Sequence, residues 1–436
     1  MKKALSKIHP KGWLLMLLIS LFCGCDRVFN QQDDGKKDLL SDYFSEEISV
    51  KSPMPSKQIN HISLSQSQKK LVRGYNDFAF DLLDSLYASK GGKSSFVFSP
   101  FSVYMDLAMV ANATNGEARE ELYNAFRLEE DDSKLNSFCN TLLEELPAVD
   151  LSSSMKIANA IIVDKFYPVR ESFKRKMEEV FYGVVESLPF EKWDLVTARI
   201  NKWVNECTEG LIPTMLDAYE VGSIAYLLNA LYFKAEMAYP FDSKLTIDRH
   251  FHLPEAEVPI SFMEGQFELS YETNDVFSAI SLPLGNGKFR MSIFLPQEEH
   301  NVVDVIPQMR ECVYYDPGKQ LVFVGLPKFK TESSFDLQSV LKQLGISAIF
   351  GPCDFQPMLL ETVVPIRVSS VLHKATISVN ESGIEAAGAT SVGTSGISPA
   401  EQDRPVYRFI ADRPFVYIIQ EQSSGMVLFT GVFNGN

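Results

Sequence analysis

The sequence predicts an α+β protein carried mostly by one large domain. Three observations predict it. Apolar residues at helical spacing fill the first half, and β-type apolar runs fill the second. No regular strand–helix–strand alternation and no fixed-period repeat runs through the chain. The helices come first. Phe78, Phe80, Leu82, Leu83, Leu86 and Tyr87 form one apolar stripe. Ser99-Pro100 opens the next helix, with the serine as N-cap and the proline in the first turn, where its missing N–H is not needed. Further helices fit residues 117–126, 135–146, 170–181 and 196–208. Strands follow at 223–233, 277–282 and 289–294, the last two flanking the hairpin signal Asn286-Gly287. Residues 321–326, 364–378, 407–420 and 426–433 also read as strands.

Ahead of this domain the composition changes twice. Lys2, Lys3, Lys7 and Lys11 precede an apolar run of about ten residues from Trp13 to Phe22, too short for the roughly 20 residues of a membrane-spanning helix. The segment reads as an export signal. Its end, Leu21-Phe22-Cys23-Gly24-Cys25, resembles a bacterial lipoprotein box, which implies cleavage before Cys25 and lipidation of its thiol; Cys23 is the alternative. The expected location is therefore outside the cytoplasm, lipid-anchored to a bacterial membrane (outer membrane or cell surface), otherwise secreted or periplasmic. Residues 26–68 are polar, with Ser52-Pro53-Met54-Pro55-Ser56 among them, and read as a flexible tether; the folded domain is expected over 69–436.

Charge and motifs exclude several function classes. The net charge is −15, with 41 basic and 56 acidic residues, so nothing recommends a nucleic-acid partner. No zinc-protease helix, phosphate-binding glycine loop or serine-nucleophile turn occurs. Catalytic residues, a cofactor and a metal are not expected. His250 and His252 stand two apart and lack a third ligand. Cys139, Cys207, Cys312 and Cys353 fit no metal spacing and read as small buried hydrophobes, with one bridge left open.

The most informative stretch is 381–405. Nearly every side chain is small, yet the segment lies between two strands. In an extended chain Ile384, Ala386, Gly388, Thr390, Val392 and Thr394 share one uncharged face, while Glu385 and Ser391 share the other. Such a segment can stand as an exposed loop or enter a sheet as a new strand, which gives one chain two states.

Several motifs, in order, then resemble the serpin family over about residues 69–436. They are Phe98-Ser99-Pro100-Phe101-Ser102, Ile200-Asn201-Lys202-Trp203-Val204 with Thr208-Glu209-Gly210, and Leu228-Asn229-Ala230-Leu231-Tyr232-Phe233-Lys234 with Pro240-Phe241. Leu326-Pro327-Lys328-Phe329, Leu344-Gly345-Ile346, Val371-Leu372-His373-Lys374-Ala375, Val379-Asn380-Glu381 and Asp412-Arg413-Pro414-Phe415 complete the series. The resemblance implies helices packed on a large mixed central sheet, two smaller sheets and an exposed reactive-centre loop. It implies partners of one kind: serine endopeptidases, and by the same acyl chemistry cysteine endopeptidases, bound as a covalent 1:1 complex by a monomer.

By the same resemblance, Glu381, Gly383, Ile384, Glu385, Ala386, Ala387, Gly388, Ala389 and Thr390 form the hinge that enters the sheet. Ser99, Ser102, Asn229 and His373 match a polar cluster under the opening region, and Lys328 and Glu381 match an ion pair at the top of the sheet. Counting fourteen residues from Gly383 puts the reactive bond at Ile397-Ser398; counting back from Pro414 puts it nearer Ala400. An aliphatic residue before the cut implies an elastase-like or subtilisin-like target. Two positions depart from the family pattern. Ile384 replaces the usual threonine or serine, and a tryptophan expected near Met237 is missing. They motivate the alternative of a non-inhibitory serpin-fold binding or surface protein.

Overall fold

The computed structural model describes residues 57–129, 131–216, 224–361, 366–384 and 405–436. Cys25, Glu385, Ala386, Ala387, Gly388, Ala389, Thr390, Ile397 and Ser398 lie outside the described residues. In chain order the elements begin with α1 (Gln66–Ser89), β1 (Phe96–Phe98), α2 (Pro100–Ala113), α3 (Glu117–Ala125) and α4 (Asp132–Glu145). Then come β2 (Ser154–Asp164), α5 (Glu171–Phe181), β3 (Val184–Leu188), α6 (Trp193–Cys207) and β4 (Ala225–Glu236). The strands β5 (Ile247–His252), β6 (Glu257–Thr273), β7 (Phe277–Leu284) and β8 (Phe289–Pro296) lead to α7 (Val302–Met309). Next are β9 (Lys319–Pro327), β10 (Phe329–Asp336), α8 (Gln338–Gln343), β11 (Leu372–Asn380) and β12 (Gly383–Ile384). β13 (Val406–Ile410), β14 (Phe415–Glu421) and β15 (Val427–Phe433) close the chain.

The strands form two sheets. One has six strands in the order β10-β11-β12-β4-β2-β3; the other has nine, β1-β15-β14-β8-β7-β6-β9-β13 with β5 on β6. The expected pair of smaller sheets is thus one hydrogen-bonded path. β6 belongs to both parts, pairing β5 and β9 along most of its length and β7 at its far end. In the six-stranded sheet β2 and β4 are buried on both faces. Ile157, Ile161, Leu231 and Phe233 join the main core, whereas Ala158, Ala160, Leu228 and Ala230 pack with Ile200, Trp203 and Val204 of α6.

The expected helices all form, within a few residues of the sequence limits. Several other expectations change. The tether was to reach residue 68, but its last part is docked. Ile62 is buried, the Ile59 N–H donates to the Ala148 carbonyl (2.9 Å), and Ser65 with Gln68 forms a capping box that starts α1. The first half also holds a strand–helix–strand unit, since β2 and β3 pair in parallel across α5. Its strand β2 carries little alternation because both faces are covered. The run 364–378 becomes a strand only from Leu372, and 407–420 divides into β13 and β14 at Asp412-Arg413-Pro414, where the proline brings no N–H to a ladder.

The hairpin at Asn286 closes through residues 285–288, because the last pair is Leu284 with Phe289. Gly285 has φ +55, and a Cβ there would fall 1.8 Å from Oδ2 of Asp150, the same carboxylate oxygen that accepts from the Asn286 N–H. The four cysteine thiols are free. Burial raises each of them, Cys207 to about 12 and Cys353 to about 11.

Candidate strand-insertion site

The site is the seam between β4 and β11. Both strands are apolar toward the core and belong to one sheet, yet among the described residues no ladder joins them directly. β12 stands between them. Ile384 is opposite Val379 of β11 on one side and Ala235 of β4 on the other; Gly383 is opposite Asn380 and Glu236. Val379 and Ala235 are therefore two strand spacings apart, about 9.6 Å, which is the width one added strand needs. Ile384 is buried, so the apolar, β-branched residue that departs from the family pattern fills core here.

The geometry of this entry point depends on glycine. Gly383 has φ +148, and a Cβ would meet the Ala235 carbonyl oxygen at 2.3 Å and Glu236 Cα at 2.7 Å. Asn380 shapes the preceding turn, its Oδ1 accepting from the N–H groups of Ser382 (2.9 Å) and Gly383 (3.2 Å). The turn is also held from the β4 side, where the Met237 N–H donates to the Ser382 carbonyl (2.7 Å) and the Phe241 N–H to that of Glu381 (2.9 Å). Met237, in place of the expected tryptophan, is buried at this point and bridges Leu284.

Glu381 fastens the turn to the rest of the molecule. Its Oε2 lies 3.0 Å from Lys328 Nζ, and its Oε1 accepts from the Thr246 hydroxyl at 2.7 Å. Burial pushes this carboxyl up, but the Thr246 hydrogen bond and the Lys328 ammonium outweigh it and leave the group below its ordinary value. The ion pair expected from the sequence is therefore formed, with Thr246 as a third member.

The polar cluster is divided. Ser99 caps α2, accepting from the Ser102 N–H (3.1 Å) and donating its own hydroxyl to the Leu428 carbonyl (2.8 Å). The Ser99 N–H donates to Nε2 of His373 at 3.0 Å, so His373 is neutral with its proton on Nδ1. Burial lowers the imidazole from 6.5 to about 4. Asn229 stands across the seam. Its amide donates to Asn159 Oδ1 (2.6 Å), and its own Oδ1 is buried without a partner among the described residues. Asn229 and His373 share no hydrogen bond among the described residues; they stand on β4 and β11, which no ladder joins directly.

Sequence reasoning missed Thr246, Asn159 and Asn380. Asn380 had a readable signal in Asn380-Glu381-Ser382-Gly383, a turn-forming string. Asn159 had one too, as a lone amide within an apolar run. Elsewhere, His250 and His252 both meet Glu257, at 3.0 and 3.1 Å, on the exposed β5–β6 hairpin.

A family model described as "Serpin (serine protease inhibitor)" matches residues 73–435. The chain belongs to the serpin family. An uncharacterised serpin-like protein of Thermococcus kodakarensis is 31% identical over 377 residues, covering 84% of this chain and 85% of the relative. The antitrypsin of Bombyx mori is 29% identical over 377 residues, covering 83% and 93%. The crystal structure of Serpin48 from Tenebrio molitor superposes with a TM-score of 0.75 at 27% identity, covering 85% of this chain and 99% of that one. The six-stranded sheet with β12 is thus the main sheet of a serpin, and the expected fold class holds.

Proposed function

We propose that this serpin is a suicide inhibitor of serine endopeptidases, with cysteine endopeptidases open to the same acyl chemistry. The protease nucleophile attacks the Ile397 carbonyl, the Ile397–Ser398 bond breaks, and Ser398 leaves as a free amine carrying the proton. The acyl-enzyme remains. Insertion of a cleaved loop as a new strand is an established example of strand addition in this family. Here it would continue from Ile384 down the seam, carrying the acylated protease with it before water can release it.

The observation that supports this reading best is β12, which already occupies the upper end of the seam with Ile384 buried. The residues that follow, Ala386-Ala387-Gly388-Ala389, are small enough to follow it without steric conflict. An aliphatic residue before the cut suits an elastase-like or subtilisin-like protease. Denaturing electrophoresis after mixing with pancreatic elastase or subtilisin tests the reading. A covalent 1:1 band is the expected result. Cleavage at the loop with all protease activity retained would favour the non-inhibitory alternative.

We also propose that Cys25 is acylated after export, so that the domain is held on a bacterial membrane by residues 26–56. Metabolic labelling with a palmitate analogue should tag the wild-type chain and not the Cys25→Ser, Cys23→Ser double variant. Equal labelling of both would refute an anchor at this position.

A further inference from the structure

Among the described residues two arginines are buried, Arg199 and Arg290. Arg199 is answered by the Glu186 carboxylate, to which it donates through two of its nitrogens. Arg290, on β8 between Pro283 of β7 and Gln420 of β14, is only 8% exposed and has no such answer. Its Nη2 donates to the Val313 carbonyl at a long 3.4 Å, its Nε is buried without an acceptor, and no carboxylate forms an ion pair with it among the described residues. A buried cation is costly unless an anion meets it. The two carboxylates that act on it through space are engaged elsewhere. Asp316 Oδ1 accepts from the Ser270 hydroxyl (2.7 Å) and the Gly318 N–H (3.0 Å), and Glu272 accepts from the Cys312 thiol (3.1 Å) and the Tyr315 hydroxyl.

Arg290 lines a cavity of about 410 Å³. Backbone bonds fix its wall. The Ala238 N–H donates to the Pro283 carbonyl (2.9 Å), the Gly285 N–H to the Glu236 carbonyl (2.7 Å) and the Asn286 N–H to Asp150 Oδ2 (3.1 Å). Such a cavity is formed before a ligand arrives. Its charges select that ligand. Lys319 adds a second cation, while Glu268 and Asp316 line the same space and oppose a second negative charge. A planar guanidinium matches a carboxylate. Ala238, Leu269 and Pro283 give an apolar wall for a short hydrocarbon part.

We propose that this cavity binds a small monocarboxylate, with its carboxylate on the Arg290 guanidinium and its alkyl part against Ala238, Leu269 and Pro283. The site lies outside the seam and does not depend on the inhibitory reading. A second cavity, of about 460 Å³, also reaches Arg290 but is lined by Lys69 rather than Lys319. The two lysines therefore report which cavity is filled.

The test is the thermal midpoint of the protein in sodium butyrate, sodium phosphate and sodium chloride at matched ionic strength. Butyrate should raise the wild-type midpoint saturably, by about 5 °C over chloride at about 100 times its Kd. Arg290→Met keeps much of the volume without the charge and should abolish the rise. Lys319→Gln, at an exposed position, should weaken butyrate several-fold, and Lys69→Gln should leave it unchanged. Saturation-transfer NMR on the butyrate methyl protons reads binding directly, so the two lysine variants decide the question even where Arg290→Met fails to fold. Absence of both a saturable rise and transfer to butyrate overturns the site. Equal titrations for wild type and Lys319→Gln, or a loss confined to Lys69→Gln, overturn its placement. A rise of the same size in phosphate overturns the choice of a monoanion.

Discussion

His373 accepts a hydrogen bond from the Ser99 N–H, which requires a neutral ring. Its folded value is about 4 against 6.5 in the open chain, so between those values the unfolded chain binds more protons. Its contribution is complete above about pH 6.5 and is lost as pH falls toward 4. The magnitude is about 3 kcal/mol at most. Asp106, buried with one carboxylate oxygen unpartnered among the described residues and its value raised by burial, acts in the opposite direction as pH rises. The check is therefore a difference: thermal midpoints of wild type and His373→Gln between pH 7 and 4.5. The wild type should lose more on acidification, and parallel curves would exclude the assignment. Gly383 offers a second test. In Gly383→Ala the new methyl faces the Ala235 carbonyl at a positive φ, costing about 1–3 kcal/mol at the mouth of the seam. Titration against elastase should show a several-fold rise in the moles of serpin consumed per mole of protease trapped, and an unchanged ratio would mean that β12 need not be seated.

At the scale of elements, the site is two strands kept apart and one helix laid over them. Trp203 of α6 is buried against the outer face of the sheet with Leu228 and Ala230 of β4. Trp203→Ala should destabilise the native form by about 3 kcal/mol or more, read as a lowered thermal midpoint. The loop itself is tested by Ala386→Arg. In an inserted strand position 386 would share the inward face with Ile384, where a guanidinium would have to be buried unpaired. The variant should be cleaved as a substrate and trap almost no protease, as seen on the same denaturing gel. Undiminished trapping would count against insertion.

Much at this scale was legible in the sequence, for identifiable reasons. The helices α1 to α6 announce themselves by period and by caps such as Ser99. The small side chains of residues 386–389 mark the hinge expected from the sequence, which beyond Ile384 lies outside the described residues. β2 was hidden because burial on both faces removes the alternation that marks a strand. The Thr246–Glu381 and Asn159–Asn229 contacts were hidden because the partners lie 135 and 70 residues apart. The departure at Ile384 motivates the non-inhibitory alternative in the sequence; in the structure the side chain is buried in the seam, because an apolar, β-branched residue suits a core strand position.

For the molecule as a whole, the proposed function makes residues 385–397 a strand in waiting for the seam between β4 and β11. Filling the seam would add a ladder on each side of residues 385–397. Roughly ten net backbone hydrogen bonds at about 1 kcal/mol each would accompany it. In a domain of this size about 2 °C accompanies each kilocalorie, so the gain is about 20 °C. The most direct test is the thermal midpoint before and after a single cut in the loop, with mass spectrometry confirming the cut and its position. A rise of about 20 °C or more is expected. An unchanged or lower midpoint after a confirmed cut between residues 395 and 400 would contradict the claim that the seam accepts the loop.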